Sequence, residues 1–276
     1  FFRMKILFDI RLLGSGGVSG IEEYTTQLLT HLLATDTENE YLLFYNGVTK
    51  HPLAFPWAKQ KNVSLIDWHL PNRLLDASMR FLRAPAMDRA LRADLVMSPH
   101  FNFLHTVRAP RLITFHDLSF IHHPDFFSRR QRFWHALQDY RRQAQSAHRL
   151  IAVSEFTKYD LVQSRGVPEE KITVIHSGVH PSLTPLPDSD ARLAEFRRVH
   201  NLSFPFLLFV GTLEPRKNIP AIIRAFNLIK RSAAMSDLRL VVAGKPGWLY
   251  RTILAEAARS PFKDHIIFWG KIAPHD

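Results

Sequence analysis

The sequence predicts a doubly wound α/β fold in two domains, and three observations carry that prediction. Short, continuously apolar runs recur along the chain, the pattern of parallel strands covered on both faces. Segments of helical period separate them, as in a sheet built from βαβ units. The length, 276 residues, suits two domains of ordinary size. At 46% hydrophobic and 22% charged residues the composition is that of a folded globular chain.

The expected strands, in order, are Lys5–Phe8, Tyr41–Tyr45, Val63–Ile66, Asp94–Met97, Leu112–Phe115, Leu150–Val153 and Ile172–Ile175, then Phe206–Val210, Leu238–Ala243 and Ile266–Trp269. Between the first two, Ile21, Tyr24, Leu28 and Leu32 recur at helical spacing, which predicts a helix over Ile21–Leu33. Another helix is expected after Ser154, whose hydroxyl is placed to cap its first turn. Three prolines within Pro181–Pro187 interrupt any apolar period, so residues 181–187 are read as a linker between domains 1–180 and 188–276. The second domain holds only three expected strands, and the last has no crossover helix to cover it. It is therefore expected to be incomplete, with the natural chain continuing past Asp276 and the residues before Met4 extraneous.

Composition excludes several classes of function. The chain has no cysteine, so disulfides, thiolate metal sites and a cysteine nucleophile are ruled out, and a reducing cytoplasm is the expected setting. No run of 18 apolar residues occurs, so no spanning helix is expected. The N-terminus lacks the layout of a signal peptide. The formal net charge of +11 points to an anionic partner: phosphate, nucleic acid or an acidic membrane. Between Pro71 and Arg149 there are 13 basic and 6 acidic side chains, a basic face that is either solvated or used for binding. Neither zinc-finger spacing nor an aromatic RNA-binding strand is present, and nucleic acid is not expected as a partner.

Ligands of open α/β sheets sit at the carboxyl ends of the strands, so the loops that follow strands carry the chemistry. After the first strand, Asp9 to Gly20 contains four glycines and leads into a helix N-terminus that can receive an anion, or is a flexible surface loop. The loop fits neither the dinucleotide fingerprint nor a P-loop. After the fifth strand, His116 and Asp117 occupy a position where a histidine can donate to a substrate hydroxyl or cap the strand. His122 and His123 are neighbours whose side chains diverge, and no metal site is expected there. After the eighth strand, Gly211-Thr212 leads into Glu214-Pro215-Arg216-Lys217-Asn218, two adjacent cations before a helix and a candidate pyrophosphate clamp. After the ninth, Gly244 and Trp248 belong to a turn whose aromatic either stacks on a base or serves the turn itself.

Three stretches taken together resemble the retaining, GT-B-fold glycosyltransferases of family 4. They are Ser19-Gly20-Ile21 with Tyr24-Thr25 and Leu28-Leu29; Ile113 to Leu118 with Ile151 to Ser154 and Gly166 to Ile172; and Phe209 to Asn218. The resemblance implies two Rossmann-like domains facing across a cleft that holds a nucleotide-sugar donor. By the same resemblance Arg216 and Lys217 neutralise the donor diphosphate, with Gly211, Thr212 and Gly244 in the donor loops. The Gly20 N–H approaches the diphosphate beside Ser19, and His116 contacts the transferred sugar without acting as nucleophile or base. No metal or other cofactor is implied, because the two cations hold the leaving group. Where the family often has paired glycines, Ser19 precedes Gly20 here. The family's two glutamates that hold ribose and donor sugar fall past Asp276.

The form Glu-Pro-Arg-Lys-Asn leans toward a mannosyltransferase using GDP-mannose, with a polysaccharide or lipid-linked acceptor. The basic stretch with Arg129, Arg130, Arg132, Trp134, Arg141 and Arg142, and a second around Arg73, Arg80, Arg83 and Arg89, are candidates for peripheral contact with an acidic membrane. Two alternatives stand beside this reading: a nucleotide-sugar epimerase on the same fold, and a non-catalytic module that binds anionic polymer or membrane.

Overall fold

The computed structural model describes residues 3–16, 19–180 and 183–272. Gly17 and Val18 of the first loop, and Pro181 and Ser182 of the linker, lie outside the described residues. Contacts divide the chain into two compact units. The first runs to His122 and resumes over Gln131–Gly178, and the second contains His123–Arg130 and everything from Val179 onward.

The first unit is one parallel sheet of β1 (Lys5–Asp9), β2 (Glu40–Phe44), β3 (Val63–Ile66), β4 (Leu95–Ser98), β5 (Arg111–Phe115), β6 (Arg149–Ala152) and β7 (Ile172–Val174). The spatial order is β3-β2-β1-β4-β5-β6-β7. Its helices are α1 (Gly20–Thr35), α2 (Asn72–Ala77), α3 (Met87–Leu91), α4 (Ser119–His122), α5 (Arg129–Leu137), α6 (Tyr140–Ser146) and α7 (Glu155–Arg165). Each expected strand is present with ends shifted by no more than a residue, because runs such as Ile6-Leu7-Phe8 bury every side chain. Alternate residues serve opposite faces. Ile6 and Phe8 pack with Leu29 and Leu33 of α1, whereas Leu7 packs with Leu75, Met79 and Met87 on the other side. Helix α7 begins as expected, the Ser154 hydroxyl accepting from the Thr157 N–H at 3.1 Å.

In the second unit, β8 (Phe206–Val210), β9 (Arg239–Ala243) and β10 (Ile266–Gly270) form a parallel sheet in the order β10-β9-β8. Helices α8 (Ala191–Val199), α9 (Ile219–Ile229) and α10 (Arg251–Ala258) complete the described elements. One core joins Leu240 and Val242 to Ile219, Ile223, Phe226 and Ile253. The edge strand β8 is far less covered: Leu208 is 53% exposed and Val210 68%.

The order of the first sheet places its reversal point between β1 and β4. The chain leaves β1 for β2 on one side and reaches β4 on the other, so the loops after these two strands diverge and open a crevice. The loops at the carboxyl ends of β1 and β4 therefore border one space.

Candidate active site

The crevice holds a cavity of about 340 Å³ lined by residues after β1, at the start of α1, in α2, after β4 and in α5. Its floor is an ion-pair cluster at the end of β1. The Arg11 guanidinium donates to both Asp9 carboxylate oxygens at 2.9 and 2.8 Å, to Asp76 Oδ1 at 2.7 Å and to the Phe103 carbonyl at 3.1 Å. Burial opposes its charge, yet Asp9 and Asp76 outweigh that and hold its pKa above the usual arginine range. Burial pushes the Asp76 carboxyl upward, and Arg11 only partly restores it.

Three histidines lie close together behind the next wall, of which His100 lines the cavity. His100 follows β4 and lies flat against Trp134 of α5, with centroids 5.8 Å apart and an interplanar angle of 8°. His116 follows β5 and meets the edge of Tyr24 from α1 at 4.8 Å. His135 stacks on Phe120 at 4.3 Å. Burial lowers all three imidazole pKa values, to about 3 for His100 and about 4 for His135, with mutual repulsion adding to the effect at His100. All three rings are therefore neutral at pH 7.

The tautomer of His116 follows from its partner. Its Nε2 lies 2.8 Å from the Pro99 carbonyl, which can only accept, so Nε2 carries the proton and Nδ1 the lone pair. A neutral His116 held this way has Nδ1 as its acceptor. The sequence suggested a donor, but the donor N–H is already used. Asp117 accepts from the Ser119 N–H and hydroxyl and so caps α4. His122 turns to Asp160 at 2.7 Å while His123 stacks on Phe126, so these two do diverge.

Folding with three neutral histidines makes stability fall as the pH is lowered. Below pH 6.5 the unfolded chain takes up protons that the folded chain refuses, so stability is fully present above that pH. It is lost progressively as pH falls toward the folded-state values near 4 and 3. Lowering pH from 7 to 5 is expected to cost about 2 kcal/mol for each of His100 and His135, as an upper bound. Thermal melting across that range checks it, and His135→Phe should flatten the dependence.

At the start of α1 the Ser19 N–H donates to the Glu22 carboxylate at 2.5 Å, so a carboxylate of the chain itself occupies the helix N-terminus where a diphosphate was expected. Gly20 next to it is open, and a Cβ there would meet nothing within 4 Å.

In the second unit, residues 211–214 and 244–247 are zipped together after β8 and β9. The Leu213 N–H donates to the Lys245 carbonyl at 3.0 Å and the Gly247 N–H to the Leu213 carbonyl at 2.9 Å. A Cβ at Gly244 would lie 1.8 Å from the Gly211 carbonyl oxygen, so the chain's own packing explains this glycine. Thr212 stands half-buried beside Gly211 in the same strap. Past it, Pro215–Lys217 forms a single 3-10 turn, and Asn218 in the left-handed region starts α9. Arg216 is exposed but tied to the buried Glu214, with Nε to Oε1 at 3.0 Å. Lys217 is exposed and makes no ion pair among the described residues. The candidate clamp is thus one oriented guanidinium beside one exposed ammonium. Trp248 donates its indole N–H to the Phe126 carbonyl and stacks on Phe127, so this aromatic serves packing.

The two glycines make opposite tests. Gly20→Ala is expected to leave the melting temperature unchanged or slightly raised, and any loss of nucleotide affinity then reports close ligand approach. Gly244→Ala is expected to destabilise the second unit by about 1–3 kcal/mol or more through the clash; thermal melting reads both.

Residues 18–183 match the description Glycosyltransferase Family 4, and residues 192–276 match Glycosyl transferases group 1. The chain belongs to glycosyltransferase family 4. It is 24% identical over 256 residues to the O-antigen chain mannosyltransferase B of Escherichia coli, covering 89% of this chain and 65% of that protein. Among solved structures it is similar to HepE of Anabaena in complex with UDP and glucose, at 19% identity and a TM-score of 0.65 over 98% of this chain and 70% of that one. It is also similar to the sucrose-phosphate synthase of Thermosynechococcus elongatus, at 17% identity and a TM-score of 0.67 over 98% and 71% of the two chains. The likeness of the family 4 chain to these structures, and to the lipopolysaccharide glycosyltransferase WaaG at a TM-score of 0.66 over 97% of this chain and 70% of that one and 14% identity, is a likeness of fold, the GT-B architecture. The chain spans 65% of the length of its curated relative.

Arg11, Asp76 and His100 escaped sequence reasoning. Asp9-Ile10-Arg11 directly after a strand was a usable signal, since two opposite charges two residues apart beside a buried strand need each other. The importance of the loop after β4 depends on strand order, which no local pattern reveals.

Proposed function

We propose that this family 4 chain carries the donor-diphosphate contacts and acceptor-side domain of a retaining glycosyltransferase. The reaction moves a hexose, mannose from GDP-mannose in the first instance, onto a polysaccharide or lipid-linked acceptor. The observation that carries the reading is the Glu214–Lys217 turn. A buried carboxylate orients Arg216, and Lys217 stands free beside it, at the carboxyl end of β8 and directly before α9. As the glycosidic bond breaks, negative charge builds on the leaving nucleoside diphosphate, and two fixed cations stabilise that charge. They take the place a divalent metal would otherwise fill, so no metal is part of the proposed reaction. Gly211, Thr212 and Gly244 hold the strap that sets the turn. Gly20 and Ser19 offer the second approach to the donor, once Glu22 yields its hydrogen bond. His116, neutral and accepting through Nδ1, orients a hydroxyl of the transferred sugar and forms no covalent bond.

The resemblance to a mannosyltransferase supports mannose, while the HepE complex holds UDP and glucose, so both donors belong in the test. No described helix is long and apolar enough to cross a membrane. A peripheral contact is supported by α2 and the π-helical turn Ser78–Leu82 that continues it, where Leu74, Phe81 and Leu82 are exposed beside Arg73 and Arg83. Apolar side chains flanked by arginines suit an anionic lipid surface at the cytoplasmic face. Trp134, expected on the basic face, instead lines the cavity.

Proton NMR of the chain with GDP-mannose or UDP-glucose and a lipid-linked acceptor tests the proposal. Binding of one of the two nucleotide-sugars is expected, with an α-anomeric signal for any product formed, and failure of a folded sample to bind either removes the reading.

A further inference from the structure

Arg111 opens β5 at its amino end and is buried, with 6% of its surface exposed. Among the described residues its side chain makes one hydrogen bond, from Nη2 to Gln143 Oε1 at 2.8 Å. A guanidinium has five N–H donors, so four of them find no acceptor there, the buried Nε included. The carboxylate whose charge reaches it, Asp9, is already bonded to Arg11. Burial lowers the Arg111 pKa to about 10, which leaves it cationic at pH 7. A buried charge without its counter-charge is strongly unfavourable.

Three more basic side chains gather at the same place. Arg142 is exposed on α6 next to Gln143, the residue that holds Arg111. His105 lies in the loop before β5, and its carbonyl accepts from the Met87 N–H at 2.8 Å. Arg83 is exposed just after the turn Ser78–Leu82. Burial lowers the His105 pKa, and the charges of Arg83, Arg142 and Arg111 lower it further, against the opposing charge of Asp88. The Asp88 carboxylate is taken up by the N–H groups of Val107, Arg108 and Ala109 at 2.6–3.1 Å. Neither Arg83 nor Arg142 makes an ion pair among the described residues.

We infer that Arg111, with Arg83, Arg142 and His105 around it, forms a phosphate-binding subsite of the first unit, apart from the cavity at the carboxyl ends of β1 and β4. The guanidinium presents a planar fork that matches two phosphate oxygens, and the anion brings the negative charge that the chain itself withholds. Arg83 and Arg142 close on it from the solvent side. The phosphate is that of a soluble ester or of a lipid headgroup. Phe81 and Leu82, 68% and 75% exposed beside Arg83, suit the headgroup. Glycosyl transfer is not required for this subsite, and the Glu214–Lys217 turn belongs to the second unit.

Calorimetric titration with inorganic phosphate at fixed ionic strength tests this on the full chain and on its Arg216→Ala/Lys217→Ala variant, which lacks the other phosphate contacts. Saturable binding is expected in both. In the second background, Arg83→Gln/Arg142→Gln should weaken it by at least about tenfold, and Arg111→Met should abolish it. Arg111→Met removes an unpaired buried charge, so without phosphate its melting temperature should match or exceed that of its background. Phosphate should raise the melting temperature of the background and not that of Arg111→Met. Arg231→Gln/Arg259→Gln removes two exposed charges of the second unit and should leave binding unchanged. Flotation with phosphatidylglycerol and phosphatidylcholine vesicles identifies the source. Capture by phosphatidylglycerol alone, lost in Arg83→Gln/Arg142→Gln, assigns a headgroup; phosphate binding without capture assigns a soluble ester. The inference is overturned by phosphate binding that survives Arg111→Met or that vanishes with Arg216 and Lys217. Absence of both phosphate binding and variant-sensitive vesicle capture overturns it as well.

Discussion

Replacing Arg216 and Lys217 together by alanine is expected to weaken nucleoside diphosphate binding by on the order of 100-fold or more. Each charge-assisted hydrogen bond to phosphate contributes about 1.5–3 kcal/mol, and two are removed. The single variants should not be equal. Glu214 is buried at 4% exposure and faces Arg216, so Arg216→Ala leaves a carboxylate unpaired beside the phosphate site. That adds repulsion to the lost attraction. Lys217→Ala removes an exposed ammonium and should cost only its own contact. Glu214→Gln with Arg216→Ala should recover part of the loss, because the residual negative charge goes with it. Calorimetry on the four variants separates these terms, and equal effects of the two single changes would deny Glu214 its orienting role.

The largest effect on stability is expected at Arg11. Arg11→Ala leaves the Asp9 and Asp76 carboxylates facing each other with no cation between them, and Asp9 is 1% exposed. Breaking a buried pair in this way costs about 3–5 kcal/mol. The isolated pair is not a net source of stability by the same reasoning, since desolvating three charges offsets much of their attraction. Removing the buried pair together, as in Asp9→Asn with Arg11→Met, leaves only the half-buried Asp76 carboxylate and should therefore recover part of the loss. Urea unfolding of the single and double variants measures the coupling. A loss under about 1 kcal/mol for Arg11→Ala would show that the cluster is better hydrated than its burial indicates.

The strands were legible because burial on both faces writes itself into sequence as unbroken apolar runs: Ile6-Leu7-Phe8 and Leu240-Val241-Val242 need no context to be read. The run Asn72–Leu82 was not read as helix. Only Leu75 and Met79 turn inward there while Leu74, Phe81 and Leu82 face out, so the apolar period that signals a helix is blurred. Single residues in loops were legible as chemistry but not as geometry. The positions of Arg216, Lys217 and His116 at strand ends followed from the strands themselves. That Glu214 holds Arg216, that Pro99 takes the His116 proton and that Glu22 closes on Ser19 all depend on side-chain contacts that spacing cannot express. Trp134 and Trp248 carry the same lesson. Trp134 was read with the basic face and Trp248 as a base-stacking or turn residue, and each is committed, one to the cavity with His100 and the other to Phe127. Gly244 looked like a ligand contact and proves to be dictated by the carbonyl of Gly211.

The most direct measurement is calorimetric titration of the folded chain with GDP, UDP and ADP. Saturable binding of one of the three, lost in the Arg216→Ala/Lys217→Ala variant, is the expected result and identifies the donor base. Binding of none, or equal binding that survives the double change, would contradict a nucleotide-sugar donor site built on the Glu214–Lys217 turn.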